Sequence, residues 1–317
     1  LNNGRYATTI RAPQTRKEIF MRVTVLGLGS MGTTLARLFA ANGRTVTVWN
    51  RTADKADSLR AAGVQVAATA AEAIAASPVT VLCVYDYRAA DAILAQAGVA
   101  AAATGKVLVQ LSTGSPEDAL AAAAWAARHG ARFLDGAIQA APSQMGQPET
   151  PILLSGDRAT FRDVEPLLRD LAGNLVFLGD EIDAAATMDL ATLSYVYGAF
   201  TGFVHGARMA EAKGLDVAQY GRIVNAISPT FGAFFEHEGR VIHSGDFRVS
   251  ESPLRISVEA TARILQASRA AGLDTQVPEL AAGLLARADQ AGLGGEELAA
   301  LVKVLRGADG RSIRPGS

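Results

Sequence analysis

The sequence predicts an α/β fold in two parts: a doubly wound parallel sheet over residues 21–180, then a long interdomain helix that opens an all-α part over 181–317. Three observations predict it. Short runs of β-branched and apolar residues alternate with amphipathic, helix-length segments as far as Asp180, which is the signature of βαβ units. From Ala184 the apolar spacing becomes helical and stays so to the end. Between the first strand and the first helix lies a cluster of glycines, Gly27, Gly29 and Gly32.

Each element follows from its own residues. A strand begins at Met21 and runs through Val23-Thr24-Val25-Leu26; residues 33–41 continue as an amphipathic helix. Thr45–Trp49 is the second strand, and 54–62 is a helix stopped by Gly63. Residues 79–84 are almost continuously apolar, as suits a central parallel strand buried on both faces. Residues 88–97 form a helix ended by Gly98, and 107–111 form the next strand. Ser115-Pro116-Glu117-Asp118 caps a helix reaching His129. Strands at 132–135, 152–155 and 175–178, with a helix at 161–171, complete the sheet. Helices are then expected at 184–213, 217–228, 231–241, 254–271, 278–290 and 295–306. The first of these has Gly198, Gly202 and Gly206 as its only breakers and is too apolar to stand in water, so a homodimer sharing it is expected.

The glycine cluster carries the first chemical inference. Gly27 permits a tight turn after the strand, Gly29 removes the side chain that would block a pyrophosphate, and Gly32 lets the helix pack closely. The helix's free N–H groups then face the phosphates. This G-x-G-x-x-G sits between a strand and a helix, the context that a Rossmann dinucleotide site requires. Gly27, Leu28, Gly29, Ser30, Met31 and Gly32 are therefore cofactor-binding candidates. The second strand ends at Asn50-Arg51-Thr52, where an NAD site would place a carboxylate on the ribose hydroxyls. A neutral Asn50 followed by Arg51 suits a 2′-phosphate instead, since Arg51 can fork two hydrogen bonds onto it and stack on adenine. Thr52 adds a hydroxyl and Lys55 a second cation. NADPH is the expected cofactor.

Ligands of an open α/β sheet occupy the crevice beyond the carboxyl ends of its strands. Val84-Tyr85-Asp86-Tyr87 and Leu111-Ser112-Thr113-Gly114 end there, so Val84, Tyr85, Ser112 and Thr113 join the cofactor candidates. So does Asp135-Gly136-Ala137-Ile138-Gln139, which runs into an irregular stretch through Thr150; a loop of that length is often functional.

Composition excludes other classes. Lys+Arg 30 against Asp+Glu 31 leaves a net charge of −1, so nothing favours nucleic acid or an anionic membrane as partner. No apolar run is long enough to span a bilayer. The one cysteine, Cys83, cannot form an internal disulfide, and a reducing, cytoplasmic setting is expected. Residues 1–20 lack periodicity and read as an extension or tag-like segment ahead of Met21. The four histidines have no ligand spacing, so no metal is expected.

From Met21 onward the chain resembles the β-hydroxyacid dehydrogenase superfamily, through its GLGSMG start, its serine loop and its long interdomain helix. Within that superfamily it resembles the imine reductases, in the DGAIQAAPSQMGQPET stretch and the Asn50-Arg51-Thr52 turn. Hydroxyacid dehydrogenases of this group carry a lysine near the start of the long helix, followed four residues later by an asparagine; here those positions are Asp189 and Leu193. A carboxylate cannot donate to a developing alkoxide, but it can pair with an iminium, or protonate an imine nitrogen if burial raises its pKa. The resemblance thus implies Asp189 as a catalytic residue; a helix-dipole role is the alternative. It also implies Tyr197, eight residues on and so nearly on the same helix face, and Asp86 over the nicotinamide. The alternatives are a core aromatic for Tyr197 and an N-cap for Asp86. Phe231, Phe234 and Phe235 are candidates for an apolar wall, and His237 for the cleft or a surface position.

The reading expected from all this is NADPH-dependent reduction of cyclic imines or iminium ions to amines, with reductive amination of ketones also in reach. The partners expected are a small imine or amine substrate and a second copy of the chain, with active sites shared between subunits. Two alternatives stay open: a carbonyl reductase of the β-hydroxyacid dehydrogenase type, and a non-catalytic NADPH-binding protein.

Overall fold

The computed structural model describes residues 21–306 of the chain; the 1–20 segment expected to be an extension lies outside the described residues, as does 307–317. The chain divides into two compact units, the first ending at Ser194 and the second beginning at Tyr195, so the division falls inside a continuous helix.

The first unit is an eight-stranded sheet with helices on both faces. In chain order it comprises β1 (Arg22–Leu26), α1 (Ser30–Ala41), β2 (Thr45–Trp49), a 3₁₀ turn (Ala53–Ala56), α2 (Asp57–Arg60), β3 (Gln65–Val66), α3 (Ala70–Ala76) and β4 (Val79–Leu82). It continues with α4 (Tyr87–Leu94), α5 (Val99–Ala103), β5 (Val107–Gln110), α6 (Pro116–Arg128), β6 (Arg132–Ile138), β7 (Pro151–Gly156), α7 (Arg158–Leu168) and β8 (Asn174–Phe177). The strands lie in the order β3-β2-β1-β4-β5-β6-β7-β8. Reversal of strand order beside β1 opens the crevice where ligands of such sheets sit.

Alternation along the central strands fills both faces. Val23 and Val25 enter one core with Leu35 and Phe39 of α1 and Val164, Leu167 and Leu168 of α7. Leu26, Leu82 and Leu108 enter the other, with Ile74 of α3, Ile93 of α4 and Ala126 of α6. Thr24 and Thr80 are also fully buried; the Thr24 hydroxyl satisfies itself by donating to the carbonyl of Ala73 at 2.6 Å.

The parallel sheet expected from the sequence has one exception. β6 and β7 are antiparallel, with Ile138 opposite Ile152. The 139–150 segment carries no helix long enough for a crossover, so the chain can only reverse. Three short elements, β3, α3 and α5, escape sequence reading because they are too short or too rich in alanine to show a period.

Long helix α8 (Ala184–Glu211) starts in the first unit and continues into the second. The second unit then holds α9 (Val217–Ser244), α10 (Leu254–Ala270), α11 (Gln276–Gln290), two 3₁₀ turns (Leu293–Gly295 and Leu298–Ala300) and α12 (Leu301–Leu305). Two sequence expectations are corrected here. The helices expected at 217–228 and 231–241 are one helix, with Pro229 inside it. Asn225, whose carbonyl Pro229 leaves without a helical donor, is exposed, as are the residues around Pro229, so no core contact forbids the proline there. The helix expected over 295–306 is instead broken, because Glu296 and Glu297 are extended. Glu297 there bridges Pro253, and its carboxylate accepts the N–H groups of Ser250, Glu251 and Ser252. A helical backbone would turn that carboxylate away.

Among the described residues no helix is long and apolar enough to cross a membrane.

Candidate active site

The turn between β1 and α1 is shaped by steric necessity. Gly27 has φ +99°, and a Cβ there would collide with the carbonyl oxygen of Cys83. A Cβ on Gly32 would collide with the carbonyl oxygen of Gly27, so α1 packs directly on the turn. Gly29 is different: a Cβ would meet nothing within 4 Å. Its missing side chain therefore answers no steric need within the polypeptide and leaves the space beside the helix start open. Gly29 is the N-cap of α1 and supplies no side-chain acceptor, so the first-turn N–H groups remain directed outward.

Asn50 links the second strand to this turn. Its Oδ1 accepts the Leu28 N–H at 3.0 Å, and its Nδ2 donates to the Thr52 carbonyl at 2.9 Å. The result is a cleft of about 460 Å³ lined by Gly27, Leu28, Gly29, Ser30, Met31, Gly32, Asn50, Arg51, Thr52, Lys55, Val84 and Tyr85. Trp49, Cys83, Ala89, Ala92, Ile93 and Gln96 complete the lining, and sequence reading had not placed them there. No lining residue is acidic, while Arg51 and Lys55 are exposed cations.

Ser112 and Thr113 do not line that cleft. Ser112 is buried, accepts the Val84 N–H at 3.0 Å and donates to Gln110 Oε1 at 3.1 Å. It latches the turn after β4 to the turn after β5. Thr113 is exposed. Burial pushes the Cys83 thiol up to about 12, so it is an inert wall of the cleft.

Asp189 sits in the second turn of α8, beyond the first turn where a helix-dipole role would place it, and is only 5% exposed. Gln139, in the loop after β6, donates its Nε2–H to Asp189 Oδ1. Gln139 Oε1 in turn accepts from Thr192 Oγ1 at 2.9 Å. Burial raises the Asp189 carboxyl above the usual range, and the Gln139 hydrogen bond partly offsets this. Proton-handling by a carboxylic acid needs such a shift. Gln139 and Thr192 carried no signal by themselves; only the fold brings them to Asp189.

Behind this group lies a second buried carboxyl. Asp135 of β6 is 1% exposed; its Oδ1 accepts the Tyr87 hydroxyl and its Oδ2 has no hydrogen-bond partner. Burial pushes it up to about 6, with the Tyr87 hydroxyl pulling it back and the charge of Asp189 adding to the rise. Tyr87 is held in place by Ala119, Ala122 and Ala186, and a Cβ on Gly114 would strike its ring. Asp86, the residue before it, caps α4: its Oδ1 accepts the Ala89 N–H at 2.8 Å.

Tyr197 belongs to the second unit and is 64% exposed. Tyr195 packs edge-on against Phe235, which also contacts Phe231 and Phe234. His237 Nε2 lies 3.0 Å from Ser250 Oγ and, with Glu238 and Glu297, forms the one group among the described residues that could hold a metal ion. The Glu297 oxygens, however, already accept the backbone N–H groups of 250–252, so this carboxylate anchors a loop.

An open glycine at an uncapped helix start, beside two cations and no acid, fits a phosphorylated dinucleotide. With a buried carboxyl at the foot of the long helix, this defines a nucleotide-dependent oxidoreductase. Comparison with known proteins narrows the class. Residues 22–179 match the NAD binding domain of 6-phosphogluconate dehydrogenase, and 181–307 match the NADPH-dependent reductive aminase-like C-terminal domain. An NADPH-dependent reductive aminase of Aspergillus oryzae is 29% identical over 289 residues, covering 90% of this chain and 97% of that protein. The reductive aminase of Aspergillus terreus, solved with NADPH and ethyl levulinate, is 35% identical with a TM-score of 0.82, covering 90% of this chain and 99% of that one. The imine reductase of Myxococcus stipitatus, solved with NADP+, is 29% identical with a TM-score of 0.83, over the same shares. The chain belongs to the imine reductase and reductive aminase family.

Proposed function

We propose that this chain is an NADPH-dependent imine reductase that reduces cyclic imines and iminium ions to amines and also carries out reductive amination of ketones. The observation that carries the reading is Asp189: a buried carboxyl with a raised pKa, held by Gln139, which can protonate an imine nitrogen and, once ionised, pair with an iminium that a cationic lysine at this position would repel.

Gly27 to Gly32 would cradle the pyrophosphate, and Arg51, Thr52 and Lys55, which line the same cleft, would hold the 2′-phosphate. Bound NADPH supplies the hydride that reaches the C=N carbon. Asp189, protonated more readily than a solvated aspartate, orients the imine nitrogen and gives it a proton, or pairs with it once it is cationic. Asp86 holds the turn after β4 through its cap on α4, and exposed Tyr197 is a further candidate on the long helix. A second copy of the chain completes the pocket; exposed Phe200, Ile223, Phe231 and Ile256 on the second unit's helices support such an assembly. The single, buried cysteine fits a cytoplasmic setting.

NADPH consumption with 2-methyl-1-pyrroline tests the reading, set against oxidation of 3-hydroxy acids with NADP+. Imine turnover that falls about 10²–10⁴-fold in Asp189→Ala supports it. Turnover of hydroxy acids alone, or imine turnover untouched by Asp189→Ala, overturns it.

A further inference from the structure

We propose that Thr192 and Gln139 form a two-state hydrogen-bond relay that lets Asp189 hold or release a proton while keeping its hydrogen-bonded contact to Gln139, which makes Gln139 a positioning residue for the proton step. The proposal rests on the reading of Asp189 as the group that exchanges a proton with the substrate nitrogen.

The relay follows from three contacts. Gln139 Nε2 donates to Asp189 Oδ1. Thr192 Oγ1 lies 2.9 Å from Gln139 Oε1 and 2.8 Å from the backbone carbonyl oxygen of Asp189. A hydroxyl has one hydrogen and two lone pairs, whereas each of these two neighbours can only accept. The Thr192 hydrogen therefore serves one of them at a time.

With Asp189 ionised, the pattern is complete as it stands. The Gln139 NH₂ serves the carboxylate, and the Thr192 hydroxyl serves Gln139 Oε1. With Asp189 protonated, the carboxyl becomes a donor and needs an acceptor. Turning the Gln139 amide over brings Oε1 to the carboxyl and Nε2 to Thr192. The Thr192 oxygen then accepts from Nε2, and its hydrogen turns to the Asp189 carbonyl. Each of the three contacts now pairs a hydrogen with an acceptor, one of the two Gln139 N–H groups being used in either state. Glutamate at 139 has no N–H for the ionised state, and an apolar residue serves neither state.

The chemistry balances simply. The Asp189 O–H bond breaks as an N–H bond forms on the substrate nitrogen, and the O–H electron pair stays on the carboxylate. Asp135 of β6 is the other ionisable group whose charge couples to Asp189, with Tyr87 of α4 hydrogen-bonded behind it. Neither contacts Gln139 or Thr192 through a hydrogen bond, so the relay is separable from that pair.

The test is the pH profile of kcat/KM for 2-methyl-1-pyrroline reduction in Gln139→Met and Gln139→Glu, with NADPH affinity measured alongside. Gln139 pulls the Asp189 pKa down, so losing its N–H raises that pKa and the acid form persists to higher pH. The alkaline limb should move up by about one pH unit in Gln139→Met and further in Gln139→Glu. NADPH affinity should stay within twofold, because Gln139 does not line the cofactor cleft. Gln139→Glu preserves shape and carries the test if the Met variant does not fold. A limb that stays in place in both variants, while Asp189→Asn abolishes it, overturns the relay alone. A limb and rate that survive Asp189→Asn overturn the functional reading, and the relay with it.

Discussion

The Asn50 side chain accepts the Leu28 N–H at 3.0 Å, which ties the end of β2 to the glycine turn after β1. An aspartate could keep that bond but could not donate to the Thr52 carbonyl, as Asn50 does at 2.9 Å. Its charge would also face the 2′-phosphate. Asn50→Asp is expected to reduce the preference for NADPH over NADH at least tenfold, read as the ratio of kcat/KM for the two cofactors. Arg51→Ala should raise the KM for NADPH by about 10–100-fold, the worth of a charge-assisted hydrogen bond, and leave that for NADH nearly unchanged.

Two glycines of one turn should behave in opposite ways. Gly32→Ala forces a methyl group into the carbonyl of Gly27 and should destabilise the fold by about 1–3 kcal/mol. Gly29→Ala meets nothing in the protein. Its thermal midpoint without cofactor should fall less than that of Gly32→Ala, by no more than the N-cap preference for glycine over alanine, while NADPH binding measured by fluorescence weakens. A loss in Gly29→Ala as large as that in Gly32→Ala would contradict the steric assignment.

Buried Asp135 should make stability fall as pH rises. Its pKa is about 6 in the fold against 3.8 unfolded, so between those values the folded state binds more protons than the unfolded one. The penalty is absent below pH 4, grows between about pH 4 and 6, and reaches about 3 kcal/mol above. Asp135→Asn can still accept the Tyr87 hydroxyl but removes the charge. Melting curves at pH 5 and pH 8 should show the variant gaining on the parent at the higher pH. Tyr87→Phe removes a donor from the same carboxylate and should lose more stability at pH 8 than at pH 5.

Glu297 shows the reverse sign. Burial opposes its charge, but the N–H groups of Ser250, Glu251 and Ser252 overcome this and hold its carboxyl down at about 2. Its contribution is complete above the unfolded value near 4.5 and disappears as pH falls toward 2. Glu297→Gln points an NH₂ at backbone donors and should cost roughly 2–3 kcal/mol at neutral pH, seen as a lower thermal midpoint.

The cleft was readable because the residues that line it are local in the chain. Gly27 to Gly32 and Asn50 to Lys55 are two short segments with a known spacing, and twelve expected residues line one cleft. Ser112 stood at a strand end like the others, yet its hydroxyl faces inward, which sequence position does not specify. Gln139, Thr192 and Asp135 escaped a role because their meaning is a matter of distance between segments. Gln139 and Asp189 are 50 positions apart and meet only because β6 ends beside the foot of α8. Pro229 misled for a related reason: proline marks a helix break where the freed carbonyl would be shut in the core, and here Asn225, one turn before it, is exposed.

Reversal of the chain between β6 and β7 has an effect on how this protein can change. Gln139 N–H bonds the Pro151 carbonyl at 3.1 Å, so the segment between them leaves and re-enters the sheet at adjacent positions. A crossover helix must keep its length to span a layer, whereas a closed excursion can lengthen at about 0.6 kcal/mol per doubling. The excursion is nonetheless pinned at its middle, where Met145 is buried in the core and the Gly146 N–H bonds the Leu171 carbonyl at 2.7 Å, so change is cheapest at exposed positions such as Ser143 and Glu149. Variation at those surface positions can accumulate without disturbing the contact between Gln139 and Asp189 at the excursion's root.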